Sequence, residues 1–229
     1  MAHLLDNMIW NAITTGNTGI ATVDGDVGFY HPDIAPFAGM KEVNKTNLDK
    51  LYSLLPAGRK MAISYFDNID LDKSKWETLA NMHCCQMVYE NPVDSFVTEQ
   101  TPLVQRLTDE HIPQMLELTR LTKPGPFYER TILFGNYFGV FDGDKLVAMT
   151  GQRMHPIPYL EVSAVCTHPG YRGKGYAKAI LLQVMKLILE QSFTPFLHVL
   201  SSNETAIKLY ESVGLTIRTK LYIDMLRRL

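Results

Sequence analysis

The chain has 229 residues, 46% of them apolar, enough for one large hydrophobic core or two small ones. Its formal net charge is −2, with no basic run and no aromatic-basic stripe, which argues against a nucleic-acid partner. No apolar stretch approaches the ~18 residues of a membrane span, and Met1-Ala2-His3-Leu4-Leu5-Asp6 lacks the basic and apolar regions of a signal peptide.

Three cysteines, with Cys84 and Cys85 adjacent and Cys166 in a strand, fit neither a disulfide framework nor a zinc spacing. The seven histidines are scattered, so no metal site is expected, and a reducing cytoplasm is the expected location. The chain divides near residue 100. Residues 1–100 form an N-terminal α/β part without a chemistry motif, closed by a proline-bounded linker from Asn91 to Pro102. In that part a helix is expected over Leu4 to Ile13, then loop with short strands from Thr14 to Pro36. Leu48, Leu51, Tyr52 and Leu55 share a helical face in Asn47–Leu55, which Pro56-Ala57-Gly58 stops. Lys60 to Phe66 reads as a strand, Trp76 to Met82 as a short helix, and Cys84 to Tyr89 as a strand.

Residues 101–229 read as strand and helix in alternation. Val104 to Leu107 is a strand, and Thr108-Asp109-Glu110 opens a helix with Ile112, Met115, Leu116 and Thr119 inward. A short helix is expected over Phe127 to Phe134, and Tyr137–Asp142 with Lys145–Arg153 form a hairpin around Asp142-Gly143-Asp144. The strand Tyr159–Thr167 leads into His168-Pro169-Gly170-Tyr171-Arg172-Gly173-Lys174-Gly175, and Gly175 to Gln191 is a helix burying Ile180, Leu181, Val184, Leu187 and Ile188. Phe196 to Leu200 is a parallel strand, Asn203 to Val213 a helix ended by Gly214, and Leu215 to Leu226 returns as strands. The expected fold class is α/β with a mixed sheet.

The turn carries the chemistry. Gly173 and Gly175 let the backbone bend sharply and approach a ligand. The first turn of the following helix leaves N–H groups unpaired, and its dipole favours an anion. Arg172 and Lys174 add positive charge there, so the loop reads as a pyrophosphate cradle, with a solvated basic turn as the alternative. It is neither G-x-x-x-x-G-K-[ST] nor G-x-G-x-x-G.

Cradle and later helix, Asn203-Glu204-Thr205-Ala206-Ile207-Lys208-Leu209-Tyr210-Glu211-Ser212-Val213-Gly214, together resemble the core of the GNAT acyltransferases over roughly Leu103 to Leu226. Cys166-Thr167-His168-Pro169 and Pro195-Phe196-Leu197-His198 resemble the glycine N-acyltransferase branch. The resemblance implies an acyl-coenzyme A donor, most simply acetyl-coenzyme A, and makes residues 101–229 a GNAT N-acetyltransferase domain. The N-terminal part, where helix, strand, helix, strand also recurs, then admits reading as a degenerate acyltransferase half. Arg172, Gly173, Lys174, Gly175, Tyr176 and Ala177 would hold pyrophosphate, and Asn203 would cap its helix and reach the coenzyme. The backbone of Val165, Cys166 and Thr167 would bond the pantetheine arm where this strand splays from Phe196–Leu200, with an N–H near Val165 polarising the thioester.

Tyr210 corresponds to the family's tyrosine beside the thioester sulfur and is the candidate proton donor; helical spacing alone favours a core tyrosine, and the matched motif reverses that. Glu161 is the candidate base, because period two places Tyr159, Glu161, Ser163, Val165 and Thr167 on one face. A pair with a neighbouring arginine is its alternative role, and Tyr159 is the fallback base. His198 could point at the acceptor, His168 reads as a turn cap, and Cys166 as an inert strand cysteine rather than a nucleophile. The expected reaction is direct N-acyl transfer from acetyl-coenzyme A to a primary amine of a small molecule such as an amino acid. A peptide or lysine acceptor, or a non-catalytic acyl-coenzyme A sensor, are the alternatives. No nucleic-acid or membrane partner is expected, and a homodimer stays open.

Overall fold

The computed structural model describes residues 3–67, 69–91 and 104–229, so all of the expected linker except Asn91 lies outside the described residues. The chain opens with a single 3-10 turn, Leu4–Asn7, that runs into α1 (Met8–Thr14) in place of one continuous helix. His3 caps the turn: its Nδ1 accepts from the Leu5 N–H, and its own N–H donates to Asp6. The Gly- and Thr-rich stretch supplies β1 (Ala21–Asp24), β2 (Val27–Tyr30) and, just beyond it, β3 (Ala38–Met40), which form a small antiparallel sheet. Helix α2 (Lys45–Leu54) starts on Asn44, whose side chain accepts from the Asn47 N–H. It packs Leu48 and Leu51 on Met61 and Ile63 of β4 (Lys60–Tyr65).

The largest departure from the sequence expectation is β5. Trp76–Val88 is one 13-residue strand, not a short helix followed by a strand. Glu77, Leu79 and Ala80 favour helix locally. They are overruled because the segment pairs along its whole length with Thr216–Arg228, with a propensity difference of only a few tenths of a kcal/mol per residue against a full ladder.

Beyond residue 104 follow β6 (Val104–Leu107), α3 (Ile112–Thr122), β7 (Tyr137–Asp142), β8 (Lys145–Gln152) and β9 (Tyr159–Thr167). Then come α4 (Tyr176–Glu190), β10 (Thr194–Leu200), α5 (Glu204–Glu211) and β11 (Thr216–Arg228). Helix α3 turns Met115, Leu118 and Thr119 inward, so Ile112 and Leu116 sit at its margin and not, as expected, in its core. The helix expected over Phe127–Phe134 is reduced to the 3-10 turn Thr131–Phe134, stopped by Gly135 at φ 155°.

The main sheet has eight strands in the order β4-β11-β5-β10-β9-β8-β7-β6. It is mixed: β9 and β10 run parallel, and the other pairs are antiparallel. Strand β5, from before residue 100, lies between β10 and β11 from after it. One face carries α4 and α5, which bury Ile180, Val184, Ile188 and Tyr210 with Val147, Leu160, Val162 and Leu197. The other face carries α1, over Phe196, Val88 and Leu221, and α3, over Met149 and Cys166.

Candidate active site

Strand β9 delivers the chain to the cradle and is irregular on the way. Ser163 pairs with Gly151 and Cys166 with Met149, so Ala164 and Val165 together face one residue of β8. Ala164 takes the extra step at φ 54°, in the left-handed region, and makes a β-bulge. The bulge reverses side-chain phase. Val165 packs with Leu160 and Val162 beneath α4, whereas Tyr159 joins the cluster beneath α1. The period-two expectation that Tyr159, Glu161, Val165 and Thr167 share one face therefore fails at Ala164. Cys166 points to the α3 side, where burial pushes its thiol up to about 11.

Next to the bulge the sheet opens. Strands β9 and β10 pair only at Thr194–Tyr159, Pro195–Leu160 and Phe196–Glu161; beyond that rung no pairing joins them. The splay lies between the two strands where the family resemblance implied it.

His168 begins the cradle as a cap, its Nδ1 accepting from the Gly170 N–H at 3.2 Å. The Tyr171 hydroxyl donates to Asp142 Oδ2 at 2.6 Å, tying the turn to the β7–β8 hairpin, and Lys174 Nζ lies 4.8 Å from the Tyr171 ring centre. Gly173 and Gly175 stand at φ 77° and 78°, where L side chains are strained, and a Cβ at either would project into open space. Gly175 is the N-cap of α4 and has no side chain to cap it, so the first N–H groups of a 15-residue helix are left for a ligand.

These parts surround one cleft of about 400 Å³ between α4 and α5. Val165, Thr167, Arg172, Gly173, Gly175, Tyr176, Ala177, Asn203 and Tyr210 all line it. Lys174 and Cys166 do not, and Glu161 lies on the opposite face of the sheet. Thr167 Oγ1 is buried with no hydrogen-bond partner. Asn203 caps α5 by accepting from the Ala206 N–H at 3.2 Å. Tyr210 is 7% exposed, and burial, with Cys166 nearby, pushes its hydroxyl up to about 12.

Glu161 sits at the last rung before the splay and is fully buried. Oε2 accepts from Arg153 Nε at 2.8 Å and, more loosely, from the Met154 N–H at 3.3 Å. Oε1 lies 2.8 Å from Arg153 Nη2 and 2.8 Å from His198 Nδ1. Burial by itself would raise the carboxyl, but the Arg153 guanidinium, and His198 after it, outweigh burial and hold it at about 2. Arg153 also lies 4.7 Å over the Phe37 ring.

Residues 104–215 match the acetyltransferase (GNAT) family. A GNAT-family protein of Novosphingobium aromaticivorans is 28% identical over 100% of both chains, with a TM-score of 0.91. Two further structures share the fold. A GCN5-related N-acetyltransferase from Kribbella flavida is 12% identical over 96% of this chain and 95% of its own, with a TM-score of 0.61. A Drosophila protein is 14% identical over 87% and 73%, also at 0.61. No curated protein matches the chain significantly.

GNAT acetyltransferases use acetyl-coenzyme A, and this chain's cleft can be tested for fit to it. A glycine cradle open to one side, an uncapped helix start, the Arg172 cation and an orphaned Thr167 hydroxyl are what a diphosphate with a polar amide arm requires. The residues around the site not anticipated from sequence are Arg153, Gln86 and the bulged Ala164. Gln86 had one signal: it is the polar member of the apolar run Cys84-Cys85-Gln86-Met87-Val88 and is 0% exposed, which demands a partner. Among the described residues no cluster of His, Cys, Asp or Glu could hold a metal. No helix of the described residues is long and apolar enough to cross a membrane.

Proposed function

We propose that this protein is an N-acetyltransferase that moves the acetyl group of acetyl-coenzyme A to a primary amine of a small molecule. The observation that carries the reading is the convergence of three groups on one cleft: the uncapped N-terminus of α4, the unpartnered Thr167 hydroxyl and the Tyr210 hydroxyl, beside the splayed strands. The resemblance to the glycine N-acyltransferase branch supports the small-molecule acceptor.

The donor supplies an acyl group on a good leaving thiolate. The C–N bond forms as the C–S bond breaks; the amine releases one proton and the sulfur gains one. In this reading the cradle fixes the diphosphate, and the unpaired edge of β9 beyond Glu161 orients the arm. The N–H groups around the Ala164 bulge polarise the carbonyl. Tyr210 donates a hydrogen bond to the sulfur as negative charge develops there. Its hydroxyl, at about 12, lies above an alkyl thiol near 8.5, so Tyr210 keeps its own proton while it stabilises the departing thiolate, and the proton that the amine gives up reaches the sulfur through solvent. Glu161 has its lone pairs engaged by Arg153, Met154 and His198, so we assign it to anchoring the apex of the splay rather than to taking that proton.

The test is acetyl-coenzyme A with a panel of amino acids, other small amines and peptides, read by release of free thiol. Thiol release with small amines supports the reading, and release only with peptides moves the acceptor to protein. Tight binding without release to any amine makes the domain an acyl-coenzyme A sensor.

A further inference from the structure

Strands β9 and β10 part after the Phe196–Glu161 rung, yet one side-chain bond still joins them: His198 Nδ1 lies 2.8 Å from Glu161 Oε1. The other ring nitrogen, Nε2, lies 3.0 Å from Gln86 Nε2. The carboxamide of Gln86 is oriented from two sides. Its Oε1 accepts from Arg218 Nε at 2.6 Å, and its Nε2 donates to the Leu5 carbonyl at 3.0 Å. With the oxygen committed to Arg218, an NH2 group faces His198, and an NH2 can only donate. His198 Nε2 must then accept, so the single imidazole proton sits on Nδ1 and is donated to Glu161. Every donor in the series Arg218, Gln86, His198, Glu161, Arg153 meets an acceptor in this state alone. An imidazolium would set N–H against N–H at Gln86. The opposite tautomer would also set a bare Nδ1 lone pair against a carboxylate.

We propose that Gln86 is a positioning residue: it holds His198 as the neutral Nδ1–H tautomer, and the resulting His198–Glu161 bond fixes the apex of the splay. Arg218 is itself held by Asp6 Oδ1 at 2.6 Å. The N-terminal half thus acts on the splay through one buried carboxamide of β5, from the face opposite the cleft. The effect on acyl transfer rests on the function proposed above; the tautomer does not.

The test uses the full chain with nitrogen-15 histidine, observed by NMR near pH 7.5 without ligand, with His198→Asn to assign the signal. The wild type should show Nδ1 protonated and Nε2 bare. Gln86→Glu keeps an acceptor for Arg218 and places a carboxylate oxygen at Nε2, so both nitrogens should become protonated. A residue that only fills space would not move that signature. A wild-type Nε2–H or imidazolium signal overturns the lock, as does a signal unchanged by Gln86→Glu; the wild-type spectrum decides even where the variant does not fold. Apex positioning is read separately by acetyl-coenzyme A calorimetry. His198→Ala should weaken binding by about 10-fold, the worth of one charge-assisted hydrogen bond, and His198→Asn, whose amide can donate from near the Nδ1 position, should recover most of it. Equal binding by the two variants overturns the positioning role. A wild type that binds no acetyl-coenzyme A overturns the proposed function and leaves the NMR result standing.

Discussion

Tyr210 and Glu161 are both buried and both shifted, but in opposite directions and for different reasons. Burial keeps the Tyr210 hydroxyl protonated up to about 12, so it stays a donor at any pH where an amine is nucleophilic. Tyr210→Phe keeps the ring in the α4–α5 core and removes only the hydroxyl. Turnover should fall about 10²-fold with acetyl-coenzyme A affinity little changed. Unchanged single-turnover chemistry would return Tyr210 to the core. Glu161 is held at about 2 by Arg153 and His198 against burial. A carboxyl lower in the folded than in the unfolded chain contributes stability above its unfolded value, near 4.5, and loses it as pH falls through 2. Its full contribution is on the order of 3 kcal/mol. Glu161→Gln strands the Arg153 cation and should cost about 3–5 kcal/mol in urea denaturation at neutral pH. It should also flatten the loss of stability between pH 5 and 2. Sequence supplied Glu161 as a carboxylate in a strand, with an arginine pair as its alternative role. Its actual partners lie 8 and 37 positions away and are set by the hairpin and the crossover.

At the level of elements, the cradle was legible because its signals are local: two glycines, two cations and an apolar helix start within a few residues. The bulge was not, because alanine carries no mark of positive φ. A left-handed alanine costs about 1–2 kcal/mol, and glycine there would cost about 0.5–1 kcal/mol of chain entropy. Ala164→Gly should therefore be neutral or stabilising by up to about 1 kcal/mol, and Ala164→Val, β-branched, destabilising by more than 1. Thermal unfolding of both variants reads this, and the reverse order would mean that β9 runs without a bulge. Gly173→Asp adds strain at φ 77° and a negative charge in the cradle. The variant should lose the rise in melting temperature that acetyl-coenzyme A should give the parent under the proposed function, about 3 kcal/mol of stabilisation at 100 times Kd. An undiminished rise would place the donor elsewhere. Strand β5 shows the converse failure of local reading: Glu77 to Met82 has helical composition, and only its ladder with β11 makes it strand.

At the scale of the whole molecule, the strand order turns the question of independence into one of hydrogen bonds. The change in sequence character near residue 100 marks where the chemistry motifs begin, but nothing in either half announces that β5 enters between β10 and β11. Such pairings join residues more than 100 positions apart and leave no local trace. A chain beginning at Thr101 would expose the edges of β10 and β11 together. It would uncover Met87 and Tyr89 contacts in the α4–α5 core, and leave Arg218 and His198 without Gln86. Unpaired backbone groups that cannot all be resolvated cost about 1–3 kcal/mol each, and a domain has only about 5–15 kcal/mol to lose. The truncated chain should therefore show no cooperative thermal transition by circular dichroism and should bind no acetyl-coenzyme A, although every residue lining the cleft is present in it. Adding residues 1–100 as a separate polypeptide should restore both signals, because the ladder of β5 with β10 and β11 needs no covalent link to residue 101. A truncated chain that melts cooperatively and binds the donor by itself would show that β10 and β11 can close the sheet without β5.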